Sequence, residues 1–392
     1  MRIKSIEAKN FKSLVDFRIE LTQFNCLIGL NGSGKSTVLQ FIDFVSQLVR
    51  GDMKGWLNER KWNSSDLKSK LTKKTNIELD VFFEEDGKDI GHWYASYNPS
   101  KNRCTQERFE LPSTSLEVKD GKIQIKGPAE NYNTSSPIAF EYEGSILSAY
   151  KEELLPQPVR EIKKVIKAVS SLELLSPDYL RQRTRGSSGS LGLGGQKLAA
   201  FLHDLGSEKR YELVHQLNTV YPQLQELGIK SLQSGWKQLE IVEGYKGQDQ
   251  KDSGIFPRMT TEARHINDGM LRMIAILAEL NSERRFLLFD EIENGINPEL
   301  IQFVIESLTL TDKQVLVTTH SPMILNYISD DVAKAGVIYL YKTPDGWTKA
   351  IPFFSIPSMA EKLTVMGPGE VFVDTNLIEL AHEIQSIDTE AR

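Results

Sequence analysis

A nine-residue glycine-rich stretch constrains this chain more than any other part of its sequence. Residues 29–37 read Gly-Leu-Asn-Gly-Ser-Gly-Lys-Ser-Thr and fit the pattern G-x-x-x-x-G-K-[ST]. The apolar residues 26–28 precede the stretch, and residues 37–41 continue it as a helical pattern. A strand that runs through a glycine-rich turn into a helix is the context in which this pattern binds phosphate groups.

Each residue type in this stretch has a physical role in holding a polyphosphate. Glycine lets successive backbone N–H groups converge on phosphate oxygens, and the helix N-terminus adds partial positive charge. We expect Lys35 to reach the β- and γ-phosphates of ATP and the hydroxyl of Ser36 to ligate Mg²⁺. A glycine-rich turn without a ligand is the alternative. The candidate nucleotide-binding residues are Asn31, Gly32, Ser33, Gly34, Lys35, Ser36 and Thr37.

The composition is that of a large and mildly acidic globular protein. The 392 residues carry a formal net charge of -6 and are 40% hydrophobic, so contact with nucleic acid would need a local basic face. The most apolar helical run, residues 270–280, contains Arg272 and Glu279 and is too short to cross a bilayer. Only Cys26 and Cys104 occur, which excludes a disulfide framework. We therefore expect a cytoplasmic protein without membrane contact.

Hydrophobic periodicity predicts an α/β fold of two lobes with mixed β-sheets and an inserted helical lid. Residues 1–145 are predicted to form the first lobe, which holds the glycine-rich stretch and an antiparallel β insertion. Residues 146–228 are predicted to form the helical lid, and residues 229–392 the second lobe. No heptad pattern persists over several repeats, so we expect no long coiled coil.

The β insertion and the lid are predicted from different periods. Between residues 76 and 126 apolar residues alternate with polar ones, and Asp-Gly pairs at 86–87 and 120–121 mark hairpin turns. In the lid, the pattern changes to a helical period, and one predicted helix covers residues 209–227.

Two basic features of the first lobe have open interpretations. Lys12 lies in a polar turn between the first two predicted strands and is a candidate phosphate contact; an exposed lysine at a strand end is an equal alternative. Residues 54–74 contain seven Lys and Arg residues together with Trp56 and Trp62. They are the candidate DNA-binding stretch, although a solvated helical face anchored by the two tryptophans is the favoured alternative.

Two apolar runs of the second lobe end in polar residues. Asp290 and Glu291 follow residues 286–289, a run typical of a strand buried on both faces. Sites of α/β proteins lie at the carboxyl ends of such strands, where Asp290 suits the Mg²⁺ shell and Glu291 suits polarising an attacking water. His320 ends the next apolar strand and is predicted to hydrogen-bond a γ-phosphate and sense its loss. A chance pair of acids and a structural histidine are the alternatives.

The glycine-rich stretch, an Asn-Asp-Gly helix start at 267–269, the Asp-Glu strand end and the terminal histidine occur in this order. In this set and order the chain resembles the ATP-binding-cassette ATPases of the RecF, SMC and OLD branch. The resemblance implies that Asn267, Asp268 and Gly269 stand at the signature Ser-Gly-Gly. They would touch the γ-phosphate of ATP held by the opposing protomer, in a head-to-tail dimer or a higher homo-oligomer.

The chain departs from the resembled pattern at the signature. Asn267 stands in place of serine and Asp268 in place of the first glycine. Because Asp268 adds negative charge beside a phosphate, turnover is expected to be slow or to depend on a partner or on DNA. Residues 293–298 resemble the D-loop of this branch.

The resemblance also suggests a biological role. Residues 365–370 resemble the tails of short RecF/OLD-like ATPases of bacterial phage-defence operons, which implies an ATP-dependent switch in DNA maintenance or anti-phage defence. No nuclease constellation follows His320, so we expect nucleic-acid cleavage to come from a separate effector protein. A non-hydrolysing ATP-binding scaffold and, with less support, a transporter ATPase subunit are the alternatives.

Overall fold

The computed structural model describes residues 1–127, 133–173, 175–187, 189–245 and 258–390; of residues 388–390 it describes the backbone alone. Contacts divide the chain into two compact units. Unit 1 comprises Met1–Val169 and Gln314–Arg392, and unit 2 comprises Ser170–Lys313. The predicted three-part division at residues 145 and 228 stays a prediction.

Unit 1 contains elements from both ends of the chain. Its strands are β1 (Arg2–Phe11), β2 (Leu14–Glu20), β3 (Phe24–Ile28), β4 (Ile77–Glu85), β5 (Lys88–Asn98), β6 (Arg103–Leu111), β7 (Thr114–Lys119), β8 (Lys122–Lys126), β9 (Thr134–Pro137), β16 (Gln314–Thr318), β17 (Val337–Lys342) and β18 (Thr348–Pro352). Its helices are α1 (Lys35–Arg50), α2 (Met53–Glu59), α3 (Gln157–Lys167), α8 (Pro322–Leu325), α9 (Asp330–Gly336), α10 (Pro357–Lys362), α11 (Pro368–Val373) and α12 (Leu377–Glu390).

An eight-stranded antiparallel sheet forms the first layer of unit 1, in the order β2-β1-β4-β5-β6-β7-β8-β9. Glu85 pairs with Lys88 across the first predicted Asp-Gly turn, and Lys119 pairs with Lys122 across the second. Both residues of each turn have positive φ, between 50° and 75°. This is the type I′ geometry that matches the right-handed twist of the strands, and the predicted hairpins are therefore confirmed.

A second set of strands in unit 1 carries the glycine-rich loop. The order is β16-β3-β17-β18, with β3 parallel to both of its neighbours and β18 antiparallel to β17. Every residue of β3 and β16 is buried, as continuous apolar runs in a parallel arrangement require. Three aromatic side chains pack against this layer and the first sheet. They are Phe11, Phe41 and Phe44, and their ring centroids lie 5.0 to 6.1 Å apart.

Unit 2 is also mixed. Its strands are β10 (Val169–Leu172, whose first residue belongs to unit 1), β11 (Thr184–Arg185), β12 (Leu224–Ser231), β13 (Trp236–Gly244), β14 (Arg258–Glu262) and β15 (Phe286–Phe289). Its helices are α4 (Pro177–Leu180), α5 (Leu198–Leu217), α6 (Asp268–Leu280) and α7 (Pro298–Thr309). Strand β13 pairs antiparallel with β11, β12 and β14.

The predicted helix over residues 209–227 is wrong at its C-terminal end. Helix α5 ends at Leu217, and β12 begins at Leu224. Pro222 lies between them and cannot continue a helix, because it has no backbone N–H. The apolar residues beyond Pro222 lie in the sheet instead. Leu227, for example, is buried and pairs with Ile241 of β13.

Long helices are not a feature of the described residues. Helix α5 has 20 residues, and Gly206 interrupts its helical backbone with φ 86°. No coiled coil is therefore present in the described ranges, as predicted. Within these described residues, no helix has both the length and the apolar character needed to cross a membrane.

Candidate nucleotide-binding site

The glycine-rich loop connects β3 to α1 in a conformation that only glycine fits at two positions. Gly29 has φ +142°, and a Cβ there would lie 2.4 Å from the carbonyl oxygen of Leu340. Gly34 has φ +111°, and a Cβ there would lie 2.4 Å from Oγ1 of Thr348. Real Cβ atoms do not approach other atoms so closely, so the loop needs glycine at both places.

Lys35 folds back into the loop that precedes it. Its Nζ donates to the carbonyl oxygens of Gly29 at 2.8 Å and Leu30 at 3.3 Å, and the residue is only 6% exposed. Helix α1 has no side-chain cap at its N-terminus and no acidic residue in its first turn. A buried ammonium group beside the positive end of a 16-residue helix is suited to bind an anion.

A strand from the other end of the chain supports the loop, and the sequence alone carries no signal of it. The hydroxyl of Thr348, on β18, donates to the carbonyl oxygen of Ser33 at 2.9 Å. The same oxygen of Thr348 lies 2.9 Å from Nζ of Lys342 and 2.9 Å from Oγ of Ser13. Because Thr348 is fully buried, these bonds are protected from water and hold the loop in place.

The loop has hydrogen-bonding capacity to spare for phosphate oxygens. The hydroxyl of Ser33 is buried and, within the part of the chain that the structure describes, it has no hydrogen-bond partner. Ser36 lies in the first turn of α1, half-buried. A hydroxyl and one carboxylate are sufficient protein ligands for Mg²⁺, which keeps several waters and takes its other ligands from phosphate. The loop therefore offers groups suited to phosphate oxygens and, in Ser36, a hydroxyl of the kind that ligates Mg²⁺.

Lys12 lies near α1, in the turn between β1 and β2. Its Nζ donates to Oε1 of Gln40 at 2.8 Å and lies 3.4 Å from the ring centroid of Trp62. Gln40 follows Ser36 by one turn of α1, so the ammonium group faces the side of the helix that carries Ser36. Gln40 and Trp62 are uncharged, and the phosphate contact of Lys12 stays a prediction.

The strand register brings His320 to the same edge of the sheet as the loop. Thr318 at the end of β16 pairs with Leu27 of β3, and the backbone N–H of Thr319 donates to the carbonyl oxygen of Leu27 at 3.2 Å. His320 follows directly and is exposed. His320 therefore lies at the sheet edge where the loop begins, and its sensing role stays a prediction.

The candidate DNA-binding stretch is partly buried. The indole N–H of Trp56 donates to Asp43 at 2.7 Å, and the guanidinium of Arg60 pairs with the same carboxylate at 2.5 Å. The side chain of Arg60 is only 4% exposed, so neither Arg60 nor Trp56 faces solvent. The only helices among residues 54–74 are the part of α2 that lies there and a short 3-10 helix at Ser64–Asp66. The exposed cations are Lys54, Lys61, Lys68, Lys70, Lys73 and Lys74.

In unit 2, the two predicted acids follow a fully buried strand. All four residues of β15 are buried, and the N–H of Asp290 donates to the carbonyl oxygen of Leu172 at 3.1 Å. Glu291 has φ 47°, a left-handed conformation that is uncommon for a residue with a side chain. Such strain persists where surrounding structure imposes it and concentrates at functional sites. This supports the predicted role of Glu291 without testing it.

The signature residues lie at the start of α6. Asn267 is the N-cap, and its side-chain oxygen accepts from the N–H of Met270 at 2.8 Å. A Cβ on Gly269 would lie 3.4 Å from the carbonyl oxygen of Gly295, in the D-loop-like segment 293–298. The structure therefore brings the signature and this segment together within unit 2.

Two arginines surround Asp268, and neither was predicted as a site residue. Arg181 forms an ion pair with the carboxylate of Asp268. Burial lowers the pKa of Arg272, whereas the charges of Asp268 and Glu291 raise it. The Nε of Arg272 packs against Gly295, where a Cβ would lie 2.7 Å away. The negative charge of Asp268 is thus paired with a positive charge within unit 2, and the expected slow or partner-dependent turnover stays a prediction.

Comparison with known proteins places this geometry in a wider context. A family model described as "AAA ATPase domain" matches residues 1–325. An Smc head domain with an extended coiled coil, bound to the C-terminal domain of ScpA and derived from Pyrococcus furiosus, has a similar structure. Its TM-score is 0.51 at 12% identity, over 93% of this chain and 99% of that chain. The SMC head domain from Thermotoga maritima gives a TM-score of 0.45 at 12% identity, over 90% and 99% of the two chains.

No match was found among curated protein sequences. At 12% identity, the similarity to the Pyrococcus furiosus structure supports the fold alone. The predicted fold class, an α/β fold with several sheets like that of an SMC head, is confirmed.

Proposed function

The chain belongs to the AAA ATPase domain family, and from this membership we propose that it hydrolyses ATP in a head-to-tail dimer that acts as a switch. The observation that carries the proposal is the glycine-rich loop, in which Lys35 is buried at the positive end of α1. The positive φ angles of Gly29 and Gly34 and the hydrogen bond from Thr348 hold the loop in one conformation. Such preorganised groups stabilise charge that develops on a transferred phosphoryl group.

The proposed chemistry is in-line attack of water on the γ-phosphate. Lys35 binds oxygens of the β- and γ-phosphates and stabilises the charge that develops on them. Glu291 orients and polarises the attacking water, and His320 hydrogen-bonds the γ-phosphate. Ser36 and Asp290 would hold Mg²⁺, which when bound neutralises charge on the phosphate oxygens.

The opposing protomer is proposed to complete each site. Asn267 and Gly269, at the start of α6, would contact the γ-phosphate of nucleotide held by the partner. Backbone N–H groups at the start of a helix favour such an anion. Loss of the γ-phosphate would remove this contact, so hydrolysis would release the dimer and reset the switch.

We further propose that the switch controls a separate effector such as a nuclease in the cytoplasm, in DNA maintenance or anti-phage defence. The Smc head domain of similar fold was crystallised with the C-terminal domain of ScpA, a separate protein. The exposed lysines of residues 54–74 offer a local basic surface for DNA in a chain of net charge -6. The trigger and the partner are proposals that a direct experiment can test.

The test is steady-state ATP hydrolysis and light-scattering mass for wild type and Glu291→Gln, with and without duplex DNA. We expect turnover in the wild type, and an ATP-dependent dimer that persists in the variant because the water is no longer polarised. Glu299→Gln, an exposed acid in the first turn of α7, is the matched control and should behave as wild type.

Two outcomes would contradict parts of the proposal. If neither protein turns over ATP but ATP changes the mass of both, the chain is an ATP-binding scaffold. If Glu291→Gln and Glu299→Gln hydrolyse ATP equally fast, Glu291 does not act on the water. A turnover that is unchanged by DNA would remove the DNA-responsive part of the proposal alone.

A further inference from the structure

An ion pair joins the signature helix to an arginine that precedes it by 87 residues. Arg181 follows the last residue of α4, and its Nη2 donates both to the carboxylate of Asp268 and to the carbonyl oxygen of Ile266, the latter at 2.8 Å. The side chain of Arg181 is 23% exposed and that of Asp268 is 56% exposed. The carboxylate therefore holds the guanidinium at a helix start that is open to solvent.

The guanidinium has donors left over. Arginine carries five N–H donors in a planar fork, whereas one of its nitrogens serves both acceptors of Arg181. The Nε of Arg181 is buried and makes no hydrogen bond to any described residue. A group with unused donors can take a ligand with more acceptor oxygens than a carboxylate offers.

The partner of this arginine is an acidic residue in the first turn of α6. A carboxylate at a helix start would repel a phosphate that docks there, yet the helix start is where the proposed signature contact lies. Pairing with Arg181 removes most of that repulsion. A terminal phosphate carries more negative charge than a carboxylate and presents three oxygens to the guanidinium fork, so it competes well for Arg181.

We propose that Arg181 contacts the γ-phosphate of the nucleotide bound by the opposing protomer, and that Asp268 acts as a latch that holds Arg181 until this phosphate arrives. This inference rests on the proposed head-to-tail dimer and names a further residue of its composite site. ADP has no γ-phosphate to compete with Asp268, so the latch re-forms after hydrolysis. The pair thereby links the state of the nucleotide to the strength of the dimer.

The test uses the full chain carrying Glu291→Gln, so that ATP is not consumed, and measures the dissociation constant of the ATP-dependent dimer by light scattering. Arg181→Ala should weaken the dimer by roughly tenfold or more, as expected for loss of a hydrogen bond to a charged group. Asp268→Asn should strengthen it, because the latch and its repulsion are both removed. The double variant should resemble Arg181→Ala.

The opposite signs of the two single variants separate this proposal from a purely structural ion pair. A structural pair would lower the melting temperature and weaken the dimer in both variants alike, and that result would overturn the latch. Arg181→Lys keeps the charge without the fork and should recover part of the affinity, which serves if Arg181→Ala does not fold. Lys209→Ala breaks an ion pair with Glu283 elsewhere in unit 2 and should change nothing.

Failure of the inference is distinguishable from failure of the proposed function. If the Glu291→Gln chain does not dimerise with ATP, the proposals of a head-to-tail dimer and of a latch are both refuted. If it dimerises but Arg181→Ala has the affinity of Lys209→Ala, the dimer stands and Arg181 does not contact the phosphate. Replacing ATP with ADP should abolish the difference between the Arg181 variants.

Discussion

The hydroxyl of Thr348 donates a 2.9 Å hydrogen bond to the carbonyl oxygen of Ser33, a residue 315 positions earlier in the chain. The bond joins strand β18 to the middle of the glycine-rich loop. The loop therefore depends on a hairpin from the far end of the chain as well as on its own residues.

Thr348→Val should weaken ATP binding and lower stability. The substitution keeps the shape of the side chain but leaves the Ser33 carbonyl and the Lys342 ammonium without this partner, at a cost of about 1 to 3 kcal/mol. Denaturant unfolding and nucleotide titration measure the two effects. Thr343→Val, in the same hairpin, is the control. Equal ATP affinity for the two variants would show that Thr348 does not support the loop.

Gly34→Ala and Gly32→Ala separate backbone strain from steric conflict in the loop. Both glycines have positive φ, so alanine at either position costs roughly 1 to 2 kcal/mol. A Cβ at Gly34 also meets Thr348 at 2.4 Å, whereas a Cβ at Gly32 meets nothing within 4 Å. We expect Gly34→Ala to lose more affinity for ATP in equilibrium binding. An equal loss would mean that the contact with Thr348 is readily relieved.

Glu107 should make the stability of unit 1 depend on pH. Its carboxyl is buried and accepts from the Ser145 hydroxyl and the Ile146 N–H at 2.5 and 2.7 Å, and burial raises its pKa to about 7 despite these bonds. In the unfolded chain this carboxyl loses its proton near the ordinary glutamate pKa of 4.5, whereas the folded chain keeps the proton. Stability therefore falls as pH rises from about 4.5 to 7, by roughly 3 kcal/mol.

The pH dependence can be assigned by substitution. Glu107→Gln imitates the protonated form, so the difference in unfolding free energy between wild type and variant should change between pH 5 and pH 8. Urea titrations at the two values measure it. A difference that stays constant with pH would mean that Glu107 titrates normally in the folded protein.

Arg60 and the exposed lysines of residues 54–74 should have different effects. Arg60→Ala leaves Asp43 buried without its guanidinium partner, which should destabilise the fold by about 3 to 5 kcal/mol. Lys68→Glu and Lys70→Glu change exposed charges and should leave stability within about 0.5 kcal/mol. If the segment binds DNA, these reversals should weaken binding to duplex DNA at low salt. Unchanged affinity would exclude the segment as the DNA surface.

Much of the fold follows from local sequence. The loop at 29–37 was predictable because its spacing of glycines, lysine and serine is set by backbone geometry over nine residues. The Asp-Gly hairpins were predictable because positive φ at two successive positions is a local requirement. The strand ends at Asp290 and His320 were predictable because a buried parallel strand is apolar along its whole length.

Local pattern predicts the wrong structure where local and tertiary preferences diverge. Residues 224–227 have leucines at a helical spacing. However, Pro222 ends the helical region, and these leucines lie in a strand that pairs with β13. Likewise, Arg60 looked like a solvent-facing cation in a basic stretch. Its burial against Asp43 depends on where α1 passes, which composition does not reveal.

The sequence by itself determined that the chain has a phosphate loop, antiparallel hairpins and two strands that end in polar residues, because each of these is encoded within a few neighbouring residues. Only the tertiary structure decided that Thr348 supports the loop and that Arg181 compensates Asp268. These contacts join residues 315 and 87 positions apart. No local pattern specifies them, since a hydrogen bond or an ion pair depends on the folded position of both partners.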